Sequence, residues 1–228
     1  KDSSGTFYCT AFPVATLLAS TWDTDLVYRV GQAMGNEVLE YGADFLLGPG
    51  MNLHRDPLCG RNFEYYSEDP ILSGEMGAAW VRGVQSQGVG TSLKHFACNN
   101  QENQRMIISA EVDDRTLREI YLRPFEIIVK KEQPWSVMAS YNRINGIYSC
   151  ENNWLLNEVL RNEWGYKGFV VSDYFAIREL NERPELFGNH LAADGKEAAA
   201  LAVNAGVNIE LPDPDCYPNI VELVKKGV

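Results

Sequence analysis

Basic residues are in short supply in this chain. Its 20 lysines and arginines face 31 aspartates and glutamates, a formal net charge of −11. That deficit argues against a general nucleic-acid binder, which needs a basic face; an acidic surface is otherwise mostly a solubility feature. Long apolar runs are lacking too. None approaches the roughly 20 residues of a membrane span, and no charged-then-apolar leader pattern opens the sequence. Histidine occurs only at His54, His95 and His190, far apart in sequence. Cys9, Cys59, Cys98, Cys150 and Cys216 are odd in number, scattered and without paired metal spacing, which reads as free buried thiols. A glycine-rich phosphate fingerprint after the first strand is also missing. The sequence thus implies no metal and no cofactor.

What is present suits one large α/β domain. Of the 228 residues, 45% are hydrophobic and 22% charged, enough to bury a sizeable core. Strand-like and helix-like segments alternate. Residues 10–20 form an ambiguous first strand or loop. Residues 23–41 read as a helix, with Leu26, Val30, Met34, Val38 and Leu39 at helical spacing. Strands follow at 45–50, 90–96, 135–142, 168–174 and 206–212. Helices are expected at 71–87, from Asp113-Asp114 to about 131, near 153–163, near 194–205 and at the end. A long loop at 175–193 contains Pro184 and Gly188. Such alternation implies a parallel sheet with right-handed crossovers. A (β/α)8 TIM barrel is favoured over a doubly wound sheet, because candidate functional groups follow several different strands. Five clear strands and one doubtful one are too few for a whole barrel, which takes about 250 residues. The chain therefore reads as a single incomplete barrel lacking its first and last units, with an exposed apolar edge.

The strand ends carry the chemistry. Gly168-Phe-Val-Val-Ser-Asp-Tyr174 runs from apolar strand formers straight into a carboxylate. A strand buried on both faces has no structural need for a terminal acid. Asp173 is a candidate nucleophile or base; the competing reading is a cap for a following helix. Lys94 and His95 end the strand at 90–96, Tyr141 and Asn142 end the next, and Glu210 sits in the last. The run at 45–50 leads into a loop with His54, Arg55, Asp56, Arg61 and Glu64. Cations, hydrogen-bond donors, aromatic faces and a carboxylate suit a sugar ring with its hydroxyls and apolar face. Arg61, Lys94 and Arg105 also suit a phosphate, although a phosphate site rarely needs a central carboxylate without a metal. Arg61–Glu64 reads equally as a loop-shaping ion pair, Glu102 and Glu210 as structural carboxylates, and Met138 as core.

In order along the chain stand Gly48-Pro-Gly50, Asn52, Gly60-Arg-Asn-Phe-Glu64, Ser67-Glu-Asp-Pro70, Lys94-His-Phe96, Asn99-Asn-Gln-Glu102 with Arg105, Met138, Ser140-Tyr-Asn142, Asn145-Gly146 and Ser172-Asp173. This ordered set resembles the barrel domain of family 3 glycoside hydrolases of the β-glucosidase type. The resemblance implies a retaining, exo-acting β-glycoside hydrolase acting on β-linked oligosaccharides or aryl and alkyl β-glycosides. β-Glucosides come first and β-xylosides close behind. It matches Asp173 to the catalytic nucleophile and Arg61, Lys94, His95, Arg105 and Tyr141 to residues holding the nonreducing terminal sugar. Met138 matches an apolar wall of that subsite. It also implies that the acid/base glutamate comes from a following domain outside this chain, and that an Asp-Gly-Pro segment gripping sugar hydroxyls lies just upstream of Lys1. Tyr174 departs from the family's usual Trp after the nucleophile. Two rivals are a noncatalytic carbohydrate-binding barrel and a phosphate-binding barrel such as an aldolase or isomerase.

Overall fold

A computed structural model describes residues 8–181 and 189–228. Four strands, β1 (Phe45–Leu46), β2 (Gly90–Phe96), β4 (Ser136–Ala139) and β7 (Phe169–Ser172), form an all-parallel sheet in that order. Ser92 lies opposite Ser136, and Met138 opposite Val171. Two further bridges, Gly50 with Lys94 and Val171 with Ile209, extend the pairing at its margins. A small second sheet joins β3 (Ser109–Ala110), β5 (Arg143–Ile144) and β6 (Ile147–Tyr148).

The sheet curls strongly. Adjacent strands lie about 4.8 Å apart, so a flat sheet would hold β1 and β7 roughly 14 Å apart. Yet the Phe45 ring of β1 and the Phe169 ring of β7 meet edge-on at 5.4 Å, and Phe45 also meets Trp135 at 5.6 Å. Gly90 makes room for this cluster; a Cβ there would come within 2.3 Å of the Phe45 ring. Val137, Ala139 and Val170 join the main core beneath the helices. The intervening residues face the other way. There Ser92 and Ser136 share a hydrogen bond at 3.0 Å, and Met138 and Val171 are buried outside the main core cluster.

Helices α1 (Ala15–Ala19), α2 (Thr24–Glu40), α3 (Pro70–Gln85), α4 (Asp114–Thr116), α5 (Arg123–Glu132), α6 (Gly195–Ala205) and α7 (Ile220–Lys226) are joined by a π-helix at Trp154–Glu163. Their starts are set by caps. The Asp69 carboxylate accepts from the Ile71 and Leu72 amides, with Pro70 at the first turn, where its missing N–H costs nothing. Asp23, Asp113 and Asp194 cap α2, α4 and α6 in the same way. Between α4 and α5 the chain makes a π-turn, Leu117–Tyr121, just before Pro124, which has no N–H to give.

Helices α2 and α3 touch backbone to backbone. A Cβ on Gly83 would lie 2.2 Å from the Tyr28 carbonyl oxygen, and one on Gly31 2.6 Å from that of Trp80. Backbone cannot step aside as a side chain can. Gly83→Ala is therefore expected to destabilise the domain by about 1–3 kcal/mol, despite alanine's better helix propensity. Urea unfolding checks this; an unchanged midpoint would refute the contact.

Three elements differ from the sequence expectation. The helix expected from Asp113-Asp114 to about 131 is broken by the π-turn into α4 and α5. Residues 10–20 contain a helix, α1, and no strand. Its five residues are too few to display a helical period, and tertiary bonds hold it: the Thr16 hydroxyl donates to the Asn62 and Tyr65 carbonyls at 2.8 and 2.9 Å. Residues 206–212 run beside β7 but reach only the single bridge at Ile209. In the loop at 175–193 a short 3₁₀ turn covers Arg178–Leu180, while Pro184 and Gly188 lie outside the described residues. Among the described residues β1 pairs only with β2, and Leu47 and Ile209 are exposed at 38% and 42%. A groove of about 230 Å³ beside β1, walled by Val14, Leu18, Leu47, Phe63 and Trp80, opens toward Lys94. No helix among the described residues is long and apolar enough to cross a membrane.

Candidate active site

The C-terminal ends of the parallel strands bring the charged groups together. The Asp173 amide donates to the Ala139 carbonyl at 3.0 Å, so the ladder between β7 and β4 extends to the carboxylate itself. Asp173 is only 8% exposed. Its Oδ1 accepts from the Tyr174 amide at 2.8 Å, while its buried Oδ2 has no hydrogen-bond partner among the described residues. No α-helix starts here: turns and the 3₁₀ turn at Arg178–Leu180 follow. The capping reading of Asp173 is therefore set aside.

The His95 Nε2 lies 3.7 Å from Asp173 Oδ2. Arg61 Nη2 reaches the same His95 nitrogen at 2.9 Å. Glu64 sits between two cations, accepting from Arg61 Nε and pairing with Lys94 Nζ at 3.2 Å. Arg105 pairs with Glu102 at 2.8 Å and stacks its guanidinium 4.7 Å above the Tyr141 ring. The Tyr141 hydroxyl donates to the Tyr174 carbonyl at 2.7 Å, just beyond Asp173. Arg61, Lys94, His95, Arg105, Tyr141 and Asp173 thus form one connected group. Met138 is fully buried, aligned with Val171 on the face opposite Val137.

Electrostatics follow from burial and from this clustering. Burial pushes the Asp173 carboxyl above its ordinary range, while the Tyr174 amide and the charges of Arg61, Arg105 and Lys94 work downward against it. Burial also drives His95 well down, and Arg61, Lys94 and Arg105 push the same way, so the ring stays neutral. Burial works upward on Glu64. The Arg61 hydrogen bond and the Lys94 charge outweigh it and hold the carboxyl below the usual value. Tyr141 is pushed up, by burial first and by the Asp173 charge second.

The remaining acids have structural work. Glu102 accepts from Asn99 at 3.2 Å besides pairing with Arg105. Glu210 accepts from the Cys216 and Tyr217 amides at 2.8 Å and pins the turn between them. Two neighbours of the site had no role in the sequence reading. Tyr65 places its hydroxyl 3.2 Å from His95 Nδ1, and Asn52 contacts the same residue from below. Asn52 stands out in the motif order, but nothing local shows that it meets a residue 43 positions away. Among the described residues no group of three or more His, Cys, Asp or Glu side chains is arranged to hold a metal ion.

Known proteins resemble this chain along nearly its whole length. The chain is 49% identical over 228 residues to thermostable β-glucosidase B of Acetivibrio thermocellus, covering 99% of this chain and 28% of that protein. It is 48% identical over 218 residues to an exo-α-(1→6)-L-arabinopyranosidase of Bifidobacterium breve, covering 96% and 26%. The solved structure of β-glucosidase 3B from Thermotoga neapolitana in complex with glucose superposes with a TM-score of 0.86 at 50% identity, covering 100% of this chain and 30% of that one. The chain thus spans under a third of the length of these relatives. The family model described as the glycosyl hydrolase family 3 N terminal domain matches residues 4–228, and the chain belongs to that family.

Proposed function

We propose that the chain is the nucleophile-bearing (β/α)8 barrel domain of a retaining, exo-acting β-glycoside hydrolase, most closely a β-glucosidase. The observation that carries this reading is Asp173: a buried carboxylate at a strand end, one oxygen held by an amide and the other without a hydrogen-bond partner among the described residues, under the charges of Arg61, Lys94 and Arg105. The curl that brings Phe45 to Phe169 supports the barrel. In this mechanism the Asp173 carboxylate attacks the anomeric carbon and forms a glycosyl-enzyme, which water then hydrolyses. Arg61, Lys94, His95, Arg105 and Tyr141 hold the terminal sugar, and Met138 walls its apolar side.

A retaining enzyme needs a second carboxyl about 5–5.5 Å from the nucleophile to protonate the leaving oxygen. Glu64 is a poor acid for that task, since Arg61 and Lys94 hold its carboxyl below the usual value, and Glu102 is engaged in an ion pair with Arg105. The acid/base comes from a further domain of the parent protein. The arabinopyranosidase among the relatives favours a second reading: hydrolysis of a terminal pentopyranoside, such as a β-xyloside. A pentopyranoside lacks the hydroxymethyl group of glucose.

Trapping with a 2-deoxy-2-fluoro-β-glucoside tests the assignment. Slowed deglycosylation should leave the sugar covalently on the Asp173 peptide of the complete protein; a label on any other carboxylate would refute it. A pH profile gives a second check. Asp173 attacks only when ionised, and burial raises its pKa. Activity should be full above that raised value and fall as pH drops through it, so the acid limb of kcat/KM lies above the ordinary Asp value of about 3.9. Arg105→Gln removes a charge that favours the carboxylate and should move the limb further up. A limb that moves down would contradict the assignment.

A further inference from the structure

Among the described residues the side chain of Asn52 makes three hydrogen bonds, all with His95. Its Nδ2 donates to the His95 carbonyl at 2.9 Å, and its Oδ1 accepts from the His95 amide at 3.0 Å. Both partners are backbone groups of fixed polarity, so they settle which way the amide points. Oδ1, an acceptor only, therefore also faces His95 Nδ1, 3.1 Å away. That nitrogen must carry the proton. At the far side of the ring, Arg61 Nη2, a donor only, stands 2.9 Å from Nε2. That nitrogen must be bare. A neutral imidazole has one donor and one acceptor, and two independent neighbours select the same tautomer. The Tyr65 hydroxyl, 3.2 Å from Nδ1, is able to accept and so shares the proton without contesting it. Asn52 and His95 are 2% and 1% exposed, so water does not compete for these bonds.

We propose that Asn52 is a positioning residue that locks His95 in its Nδ1–H tautomer, leaving Nε2 as a pure acceptor that holds Arg61 in this structure and takes a hydrogen bond from a sugar hydroxyl when substrate binds. The second half rests on the glycoside-hydrolase reading; the tautomer does not. The arrangement has a selective consequence. A hydroxyl that displaces Arg61 from Nε2 must bring its own proton, so fluorine or an O-methyl group at that position leaves the nitrogen unpaired.

Neutron diffraction from deuterium-exchanged crystals of the complete protein tests the tautomer. The expected map has a deuteron on Nδ1 and none on Nε2. A deuteron on Nε2 overturns the proposal, whatever the enzyme's substrate. Kinetics with 4-nitrophenyl β-D-glucoside test the positioning role. Asn52→Ala should raise KM roughly tenfold, the size of one mispaired buried hydrogen bond. In a His95→Ala background the same change should alter KM by less than about twofold, because the bonds of Asn52 to the backbone of residue 95 that remain there orient no ring. Equal effects in both backgrounds would mean that Asn52 supports the fold at large, and would overturn its role through His95. A protein inactive on every glycoside tried would remove the hydrolase reading and the sugar-hydroxyl half of the proposal, and the neutron map would still decide the tautomer.

Discussion

Asp173→Asn should leave the complete protein folded and reduce kcat/KM by on the order of 10⁴-fold or more, the usual cost of removing one member of a nucleophilic set. Asparagine keeps the shape and removes the charge that, in the proposed mechanism, attacks the anomeric carbon. The Asp173 backbone bond to Ala139 and the Oδ1 contact with the Tyr174 amide survive the change. Neutral Asn also relieves the burial of a charge, so melting should not fall. Sugar binding should persist, because the groups proposed to hold the ring are untouched. Circular dichroism, glucose titration and hydrolysis of an aryl glucoside check the three parts. A variant retaining a tenth of the wild-type activity would place the nucleophile elsewhere.

The largest expected loss of stability comes one residue beyond His95. Phe96 is fully buried and packs on Phe125 at 5.1 Å and Trp164 at 5.8 Å, tying β2 to α5 and to the π-helix. Phe96→Ala removes a large apolar side chain from a site whose neighbours are themselves rigid rings, so little collapse can refill it. The expected cost is about 3–5 kcal/mol, a large share of the roughly 5–15 kcal/mol that holds a domain together. At roughly 2–4 °C per kcal/mol for a domain of this size, melting should fall by about 6–20 °C. A fall under about 2 °C would contradict the packing. Activity at a temperature where the variant remains folded should survive in part, which separates this residue from Asp173.

Much of this was legible in the sequence. The strand at 90–96 was readable to its ends, from the opening Gly90 to Phe96, although only Leu93 and Phe96 within it are apolar. The helix at 23–41 was readable from its apolar spacing, and the Asp113-Asp114 start was readable as a cap, although the helix it caps is only three residues long. Helix α1 was not, since an apolar run of its length carries no period and its anchors, Asn62 and Tyr65, lie 46 and 49 residues away. The segment expected as a strand at 206–212 bonds to β7 through the backbones of Asn208 and Ile209, and only Ile209 completes a ladder bridge among the described residues. At the site, the ionisable groups themselves were legible. Their pairing was less so: an Arg61–Glu64 pair was one reading, and the second contact of Glu64, with Lys94 at 3.2 Å, follows only from the sheet bringing residue 94 beside residue 64. The tautomer-setting contact of Asn52 was invisible for the same reason.

The company that Glu64 and Glu102 keep has a further consequence. In a chain of net charge −11, the cations Arg61, Lys94 and Arg105 stand against the carboxylates of Glu64, Glu102 and Asp173, and these six side chains of the site sum to neutrality. A neutral sugar entering it neither releases counterions nor feels a long-range pull. Diffusion alone, without electrostatic steering, brings such a ligand in. Ions in solution, which screen charges over about 8 Å at physiological strength, find no net field there to weaken. Ionic strength then has little purchase on recognition in this pocket, however acidic the surface around it.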